Sequence, residues 1–254
     1  MGKADITVIM PALNEEKNIL DAIEGTMKVF ERLAIQGELI VINDGSTDQT
    51  EALVNGIMKK DDRIRMIKHE SPQGLGVSFW DGVDSAHGDA VVVLPGDNEN
   101  IPEEILRYCR LLEHVDIVVP FIFNKGARAL ARSVLSFIYR SIINGTFAVN
   151  FNYTNGTILY RRSILRGLDF RSSGFFCQTD ILVRLVKKGY LFAEVPYRIS
   201  ARKGGVSKAV SFRSFLRVAG GYLRLVRDIY FTKHKKDEIH FTDDSATALR
   251  RRSD

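Results

Sequence analysis

The chain has 254 residues, 45% hydrophobic, with a formal net charge of +5 at pH 7: enough apolar material for one large core or two small ones, and a mild basic excess that suits anionic partners. Cys109 and Cys177 lie too far apart for a metal-ligand spacing, which excludes a cysteine-based metal centre and fits a reduced cytoplasmic compartment. No apolar run reaches the ~18 residues of a membrane span, and MGKADITVIMPALNEE meets acids too early for a signal peptide, so any membrane contact is expected to be peripheral.

In chain order, ITVIM (6–10) reads as a strand, and the segment NEEKNILDAIEGTMKVFERLA as a helix with Ile19, Ile23, Met27 and Phe30 on one face. ELIVIN (38–43) is a second buried strand; DGSTDQT caps the next helix, with Ser46 or Thr47 as its natural N-cap. RIRMIKH is a third strand, GLGVSFWDGVDSA a third helix packed by Trp80, and DAVVVLP a fourth strand. After Pro120 come longer helices and a short strand pair, TILY (157–160) and AEVP (193–196). A basic amphipathic stretch fills 210–231, and the charged residues 232–254 are expected to be a disordered tail. His69, His87 and His114 show no partner pattern and read as structural or surface residues.

This alternation predicts an α/β fold: a mostly parallel sheet covered on both faces. Ligands of such sheets bind beyond the carboxyl ends of the strands. The segments expected there are PALNEE, NDGSTD, the stretch around SPQGLG, and PGDNEN, which together carry acids, amides and glycines along one edge. Carboxylates and amides such as Asn14, Glu15, Asn43 and Asp44 can hydrogen-bond a polar ligand there, and glycines let backbone approach it.

Taken together, these loops resemble family 2 glycosyltransferases of the GT-A fold, in the dolichol-phosphate mannosyltransferase-like, or polyprenyl-phosphate glycosyltransferase, branch. The matching residues are Pro11, Ala12, Leu13, Asn14 and Glu15 of a P-x-x-N-E turn; VINDGSTDQT against V-V-D-D-G-S-T-D-x-T; Gly74, Leu75 and Gly76 of a G-L-G helix start; and EVPYRISARKGGVSK against E-V-P followed by R-x-x-G-x-S-K. The resemblance covers roughly residues 5 to 210. It implies a Rossmann-like GT-A domain over 1–209, and a nucleotide-sugar site formed by Pro11, Leu13, Asn14, Glu15, Asn43, Asp44, Gly74 and Gly76.

Where the family writes D-A-D-L-Q, associated with its metal, this chain has Pro95, Gly96, Asp97, Asn98 and Glu99. The first aspartate is lost, Asp97 stands at the second, and Glu99 replaces the glutamine; Asp97 and Glu99 are therefore the expected ligands of a divalent cation, Mg²⁺ or Mn²⁺. Asn43 stands at a base-recognition aspartate, Asn152 at another family aspartate, and PFI (120–122) replaces a G-S-R expected after the fifth strand. The family's acid in the later helix corresponds to Asp180, a candidate for the catalytic site together with Asp97 and Arg202.

On the acceptor side, residues 127–143 carry an apolar stripe (Leu130, Val134, Leu135, Ile138, Ile142) beside Arg128, Arg132, Ser136 and Arg140. The resemblance makes Arg128, Arg132 and Ser136, with Ser207 and Lys208 of the R-x-x-G-x-S-K loop, acceptor-phosphate residues. In 210–231, Phe215, Leu216, Tyr222, Leu223, Val226, Ile229 and Tyr230 form one face and Arg213, Arg217, Arg224 and Arg227 the other, as in a helix lying in the headgroup plane of a membrane; packing on its own domain or pairing in a homo-oligomer stays open. The expected activity is inverting sugar transfer from a UDP-, GDP- or dTDP-linked donor to a polyprenyl phosphate at the cytoplasmic membrane face, with no nucleic-acid partner. The alternatives are transfer to a glycan or lipid-linked saccharide, and a catalytically weak donor-binding or scaffolding homologue, suggested by Pro95, Asn43 and Asn152.

Overall fold

The computed structural model describes residues 5–124, 130–154, 156–168, 170–174, 176–198, 212–232 and 240–253. Strands β1 (Ile6–Ala12), β2 (Gly37–Asn43), β3 (Ile64–Lys68), β4 (Ala90–Val93), β5 (Ile117–Ile122), β6 (Leu159–Arg161) and β7 (Phe192–Tyr197) form one sheet in the order β3-β2-β1-β4-β6-β5-β7. β6 runs antiparallel to both neighbours and every other pairing is parallel. Helices α1 (Ile19–Arg32), α2 (Thr50–Met58), α3 (Leu75–Ser85), α4 (Pro102–Leu106), α5 (Leu130–Phe147), α6 (Arg162–Arg166), α7 (Cys177–Lys188), α8 (Phe212–Val226) and α9 (Ala246–Ser253) accompany it.

The strands are apolar on both faces because both faces are covered. Ile9, Ile40, Ile42, Val91 and Val93 pack with Phe79 and Trp80 of α3, Ile143 and Phe147 of α5 and Ile181 of α7. Val8, Met10, Leu39, Val41 and Val92 pack on the other side with Ile19, Ile23, Met27 and Phe30 of α1, the residues the helical spacing singled out. Each such side chain, fully buried, contributes about 1.5–3 kcal/mol.

Three expectations are corrected. TILY and AEVP do not pair with each other: β6 and β7 flank β5. PFI lies inside β5, where Pro120 is tolerated because β6 pairs only with Ile117 and Val118, so no β6 residue faces the missing N–H. The charged C-terminus is not a structureless tail throughout, since Ser245, Ala246, Thr247 and Ala248 are buried at the start of α9. Fully buried Asp116, just before β5, accepts the Ala246 N–H (2.7 Å), the Thr247 N–H (3.1 Å) and the Thr247 hydroxyl, satisfying donors that a helix start leaves open. Phe241 packs edge-on to Tyr190 under Arg251. The net polarity of the segment hid this short buried face.

Candidate active site

The carboxyl ends of β1 to β4 deliver four loops to one edge of the sheet, and the first two are laced together. Asn14 adopts the left-handed conformation (φ 57°), which turns its N–H to Ser46 Oγ (3.0 Å) while its Oδ1 accepts the Thr47 N–H (2.8 Å). Glu15 N–H donates to Thr50 Oγ1 (2.9 Å), and Glu16 N–H to Asp48 Oδ2 (3.0 Å), with Glu16 Oε2 accepting the Gln49 N–H in return (3.1 Å). Ser46 and Thr47 therefore tie the loops to each other rather than capping α2, which starts at Thr50.

Asp44 joins the second loop to the third. Its Oδ1 accepts the Gln73 N–H (2.7 Å) and lies 2.7 Å from His69 Nδ1, while Oδ2 accepts the Gly74 N–H (2.9 Å). His69 Nε2 in turn lies 2.9 Å from Asp81 Oδ2 on α3. The histidine that showed no sequence partner thus bridges two carboxylates 25 and 12 residues away. Gly74 (φ 95°) starts α3 in a backbone conformation that disfavours other residues. Gly76 serves a different need from the ligand approach expected of it. A Cβ there would run into the backbone of Ser172 and Ser173, so this glycine lets the loop before α7 close on α3.

Asn43 is fully buried; its Oδ1 accepts the Ser46 N–H (3.1 Å), which fixes the amide, and Nδ2 has no hydrogen-bond partner. A buried donor left open costs about 1–3 kcal/mol, so the enclosed Asn43 amide holds its turn through Oδ1 at a cost in stability. The fourth loop turns sharply at Asn98 (φ 55°), and Glu99 N–H donates to Asp97 Oδ1 (3.1 Å). Asp97 and Glu99 are thereby held on one tight turn at the same edge, both half-buried. No cluster of three His, Cys, Asp or Glu side chains able to hold a metal occurs among the described residues. Asp97 and Glu99 fit the sparser type of site in which one or two carboxylates are completed by the phosphates of the substrate.

Asp180 sits in the first turn of α7, and because α7 leads into β7 that turn lies at the same edge. Asp180 is 2% exposed and accepts Arg184 Nε (3.1 Å). Burial pushes its pKa up, against the opposing pull of Arg184, which gives this carboxyl a proton affinity above that of an ordinary aspartate. Beside it, Thr179 Oγ1 bonds Thr154 O (3.1 Å) and meets the Tyr139 hydroxyl of α5 at 2.8 Å. Asn152 lies on the same side but is held by Glu194, through its N–H (2.6 Å) and its Nδ2 (2.8 Å), and its carbonyl accepts Arg140 Nη1 (3.1 Å). The family aspartate replaced here by Asn152 is thus answered by a carboxylate from β7, a pairing no local sequence pattern announces.

Of the acceptor residues, Ser136 lies on α5, half-buried, and Arg132 is in the first turn of that helix, with its side chain outside the described residues. Arg128, Arg202, Ser207 and Lys208 all lie outside the described residues. The expected apolar stripe of α5 faces outward where its side chains are described: Val134, Leu135, Ile138 and Ile142 are exposed, and so is Phe137, which the stripe did not include. α8 also splits its apolar circumference. Leu225 is buried and Tyr222, Val226 and Ile229 pack on the core, whereas Leu216 and Leu223 are exposed, followed by Tyr230 and Phe231 in the π-helical turn Arg227–Phe231. Thr146 joins the two helices, its hydroxyl meeting Tyr222 OH at 2.8 Å and its carbonyl accepting Tyr230 OH at 2.6 Å. No helix among the described residues is long and apolar enough to cross a membrane.

With this geometry in place, comparison with known proteins is direct. Polyprenol monophosphomannose synthase of Mycolicibacterium smegmatis is 31% identical over 219 residues, covering 79% of each chain. Dodecaprenyl-phosphate galacturonate synthase of Rhizobium johnstonii is 24% identical over 93% of this chain and 70% of its own length. Glucosyl-3-phosphoglycerate synthase from Mycobacterium tuberculosis, solved with Mn²⁺, UDP and glucosyl-3-phosphoglycerate, superposes with a TM-score of 0.64 at 21% identity over 88% of this chain and 80% of that one, a likeness of fold. Residues 7–169 match the family described as Glycosyl transferase family 2. The family match over residues 7–169 and the 31% identical relative agree with the sheet and its laced strand-end loops: the chain belongs to glycosyl transferase family 2.

Proposed function

We propose that this glycosyltransferase moves a sugar, with inversion, from a nucleotide-sugar donor to a polyprenyl phosphate, working as a peripheral protein on the cytoplasmic face of a membrane. The observation that carries this reading is the joining, through Thr146, of exposed apolar α5 and α8 surfaces to a domain whose strand ends carry the laced loops. A soluble acceptor would not call for two adjacent helices to turn leucines, isoleucines and phenylalanines outward, whereas a lipid acceptor does. Arg217, Arg224 and Arg227 on α8 and its turn suit an anionic headgroup layer. Both relatives named above act, by their names, on polyprenyl carriers.

In this reading Asn43, Asp44 and Asn14 shape the loops of the donor site: Asn43 fixes the Ser46 turn from beneath, and Asp44 and Asn14 spend their oxygens on loop N–H groups rather than on the ligand. Pro11, Leu13, Glu15 and Gly74 complete that wall, and Gly76 supports it by letting the loop before α7 close on α3. Asp97 and Glu99 would hold Mg²⁺ or Mn²⁺, whose charge offsets that of a leaving diphosphate. Asp180 orients a donor-sugar hydroxyl or assists the acceptor; an acceptor phosphate is already anionic and needs little deprotonation. Arg128, Arg132, Ser136, Arg202, Ser207 and Lys208 are assigned to the acceptor phosphate by the sequence resemblance.

Titration with UDP, GDP and dTDP, with and without Mn²⁺ or Mg²⁺, followed by transfer assays on polyprenyl phosphate in anionic vesicles and on a soluble saccharide, tests the whole reading. Metal-dependent binding of one nucleotide and preferred transfer to the lipid are expected. A soluble saccharide as the better acceptor, with no vesicle binding, overturns the lipid assignment.

A further inference from the structure

Asp180 is connected to the outward-facing helix by a chain of charge. The guanidinium of Arg184, one turn further along α7, spans two carboxylates: Nε meets Asp180 Oδ2 at 3.1 Å and Nη2 meets Asp228 Oδ2 at 2.8 Å. Asp228 belongs to the π-helical turn that ends the α8 segment, and its Oδ1 accepts Arg227 Nε (3.2 Å) and Nη2 (2.9 Å). Phe170, in the loop before α7, lies against two guanidinium groups, those of Arg184 (5.3 Å) and Arg224 (5.0 Å). The same turn is pinned to α5 by Tyr230, while Phe231, at its end, is 77% exposed. An added residue per turn re-aims side chains, and such turns recur at functional sites. Here the turn points Asp228 inward to Arg184 and leaves Phe231 outward.

We infer that Asp228 is a positioning residue that acts through Arg184 to hold Asp180 in its working orientation, so that sugar transfer requires the α8 segment to be docked on α7. This rests on the assignment of Asp180 to the reacting site. An arginine bonded to Asp180 alone, four residues away on the same helix, keeps the freedom of a long side chain. A second carboxylate across the fork fixes the plane of the guanidinium and with it the carboxylate it faces. Asp180 is buried, so it has no water with which to replace a lost partner, and a displaced acid costs turnover rather than donor binding.

The test compares Asp228→Asn, Asp228→Glu, Arg184→Lys and Asp180→Asn in the full chain. The probes are a panel of UDP- and GDP-sugars as donors, with polyprenyl phosphate in phosphatidylglycerol vesicles as acceptor. For Asp228→Asn and Arg184→Lys we expect kcat to fall on the order of 10- to 100-fold, the scale of an ångström-sized misplacement. The donor KM, nucleotide binding and vesicle binding should stay within about threefold of wild type, and Asp228→Glu should recover most of kcat. Wild-type kcat in Asp228→Asn overturns the inference, as does a parallel loss of kcat and nucleotide binding that Glu does not rescue. If Asp180→Asn transfers sugar as wild type does, the assignment of Asp180 falls, and the inference falls with it. If Asp180→Asn is inactive while Asp228→Asn and Arg184→Lys are normal, the inference alone fails.

Discussion

Replacing Asp44 with Asn separates a carboxylate that builds the donor site from one that touches the donor. The side chain is buried and receives two N–H groups from Gln73 and Gly74 in addition to its contact with His69. An asparagine keeps one acceptor oxygen. With that oxygen serving Gln73, its NH₂ group faces the Gly74 N–H; turned the other way, it faces Gln73. A hydrogen bond to a charged group contributes about 1.5–3 kcal/mol and an unmet buried donor costs about 1–3 kcal/mol. Because these overlap, the substitution should cost roughly 2–4 kcal/mol. At about 2–4 °C per kcal/mol for a chain of this size, the melting temperature should fall by roughly 4–16 °C. Release of the Gln73–Gly74 turn should also weaken nucleotide binding roughly tenfold, equivalent to about 1.4 kcal/mol. Calorimetric melting and isothermal titration with UDP and GDP read both quantities on one preparation. A variant that melts within about 1 °C of wild type refutes the structural role; one that keeps its melting temperature but loses nucleotide binding makes Asp44 a direct ligand.

Asp97→Asn should sharply reduce metal-dependent nucleotide binding, and Glu99→Gln should raise the metal concentration needed; unchanged titrations would remove either residue from the cation site. Arg217→Glu, on the exposed side of α8, changes the local charge by two and should weaken binding to anionic vesicles by about 2 kcal/mol, roughly thirtyfold, an effect that should fade as salt rises. Equal vesicle sedimentation of variant and wild type at low salt would argue against α8 as the membrane face. Glu38 is buried at the start of β2: burial pushes its pKa up, but the Thr7 hydroxyl (2.6 Å), the His87 N–H (2.6 Å) and Arg65 (2.9 Å) outweigh it and hold the pKa below the ordinary glutamate value. A depressed carboxylate stabilises the fold above its unfolded value and loses that contribution as pH falls through its folded one. Stability should therefore decline from about pH 4.5 downward, and Glu38→Gln should flatten that part of the curve; identical acid melting profiles would contradict it.

What the sequence determined by itself are the features that repeat locally. Strands buried on both faces need continuous apolar runs, and α1 needs Ile19, Ile23, Met27 and Phe30 at helical spacing, so the sheet, its first helices and the four loops at one edge are legible in the order of residues alone. That Asn14, Glu15, Asn43 and Asp44 gather at strand ends is legible too, because a parallel sheet brings the carboxyl ends of its strands to one edge. Their partners are not. Asn14 with Thr47, Asp44 with Gln73 and Gly74, Asn152 with Glu194 and Arg184 with Asp228 are joined across 29 to 44 residues, and no periodicity encodes which hydrogen-bonding groups two loops will bring together. Tertiary structure alone decided that His69 bridges two carboxylates, that Gly76 admits a second backbone, and that a charged C-terminal segment docks on Asp116. It also decided the direction of the apolar surfaces of α5 and α8. An amphipathic pattern fixes that a face is apolar, but whether that face meets the core or the surroundings depends on what the rest of the chain has already covered.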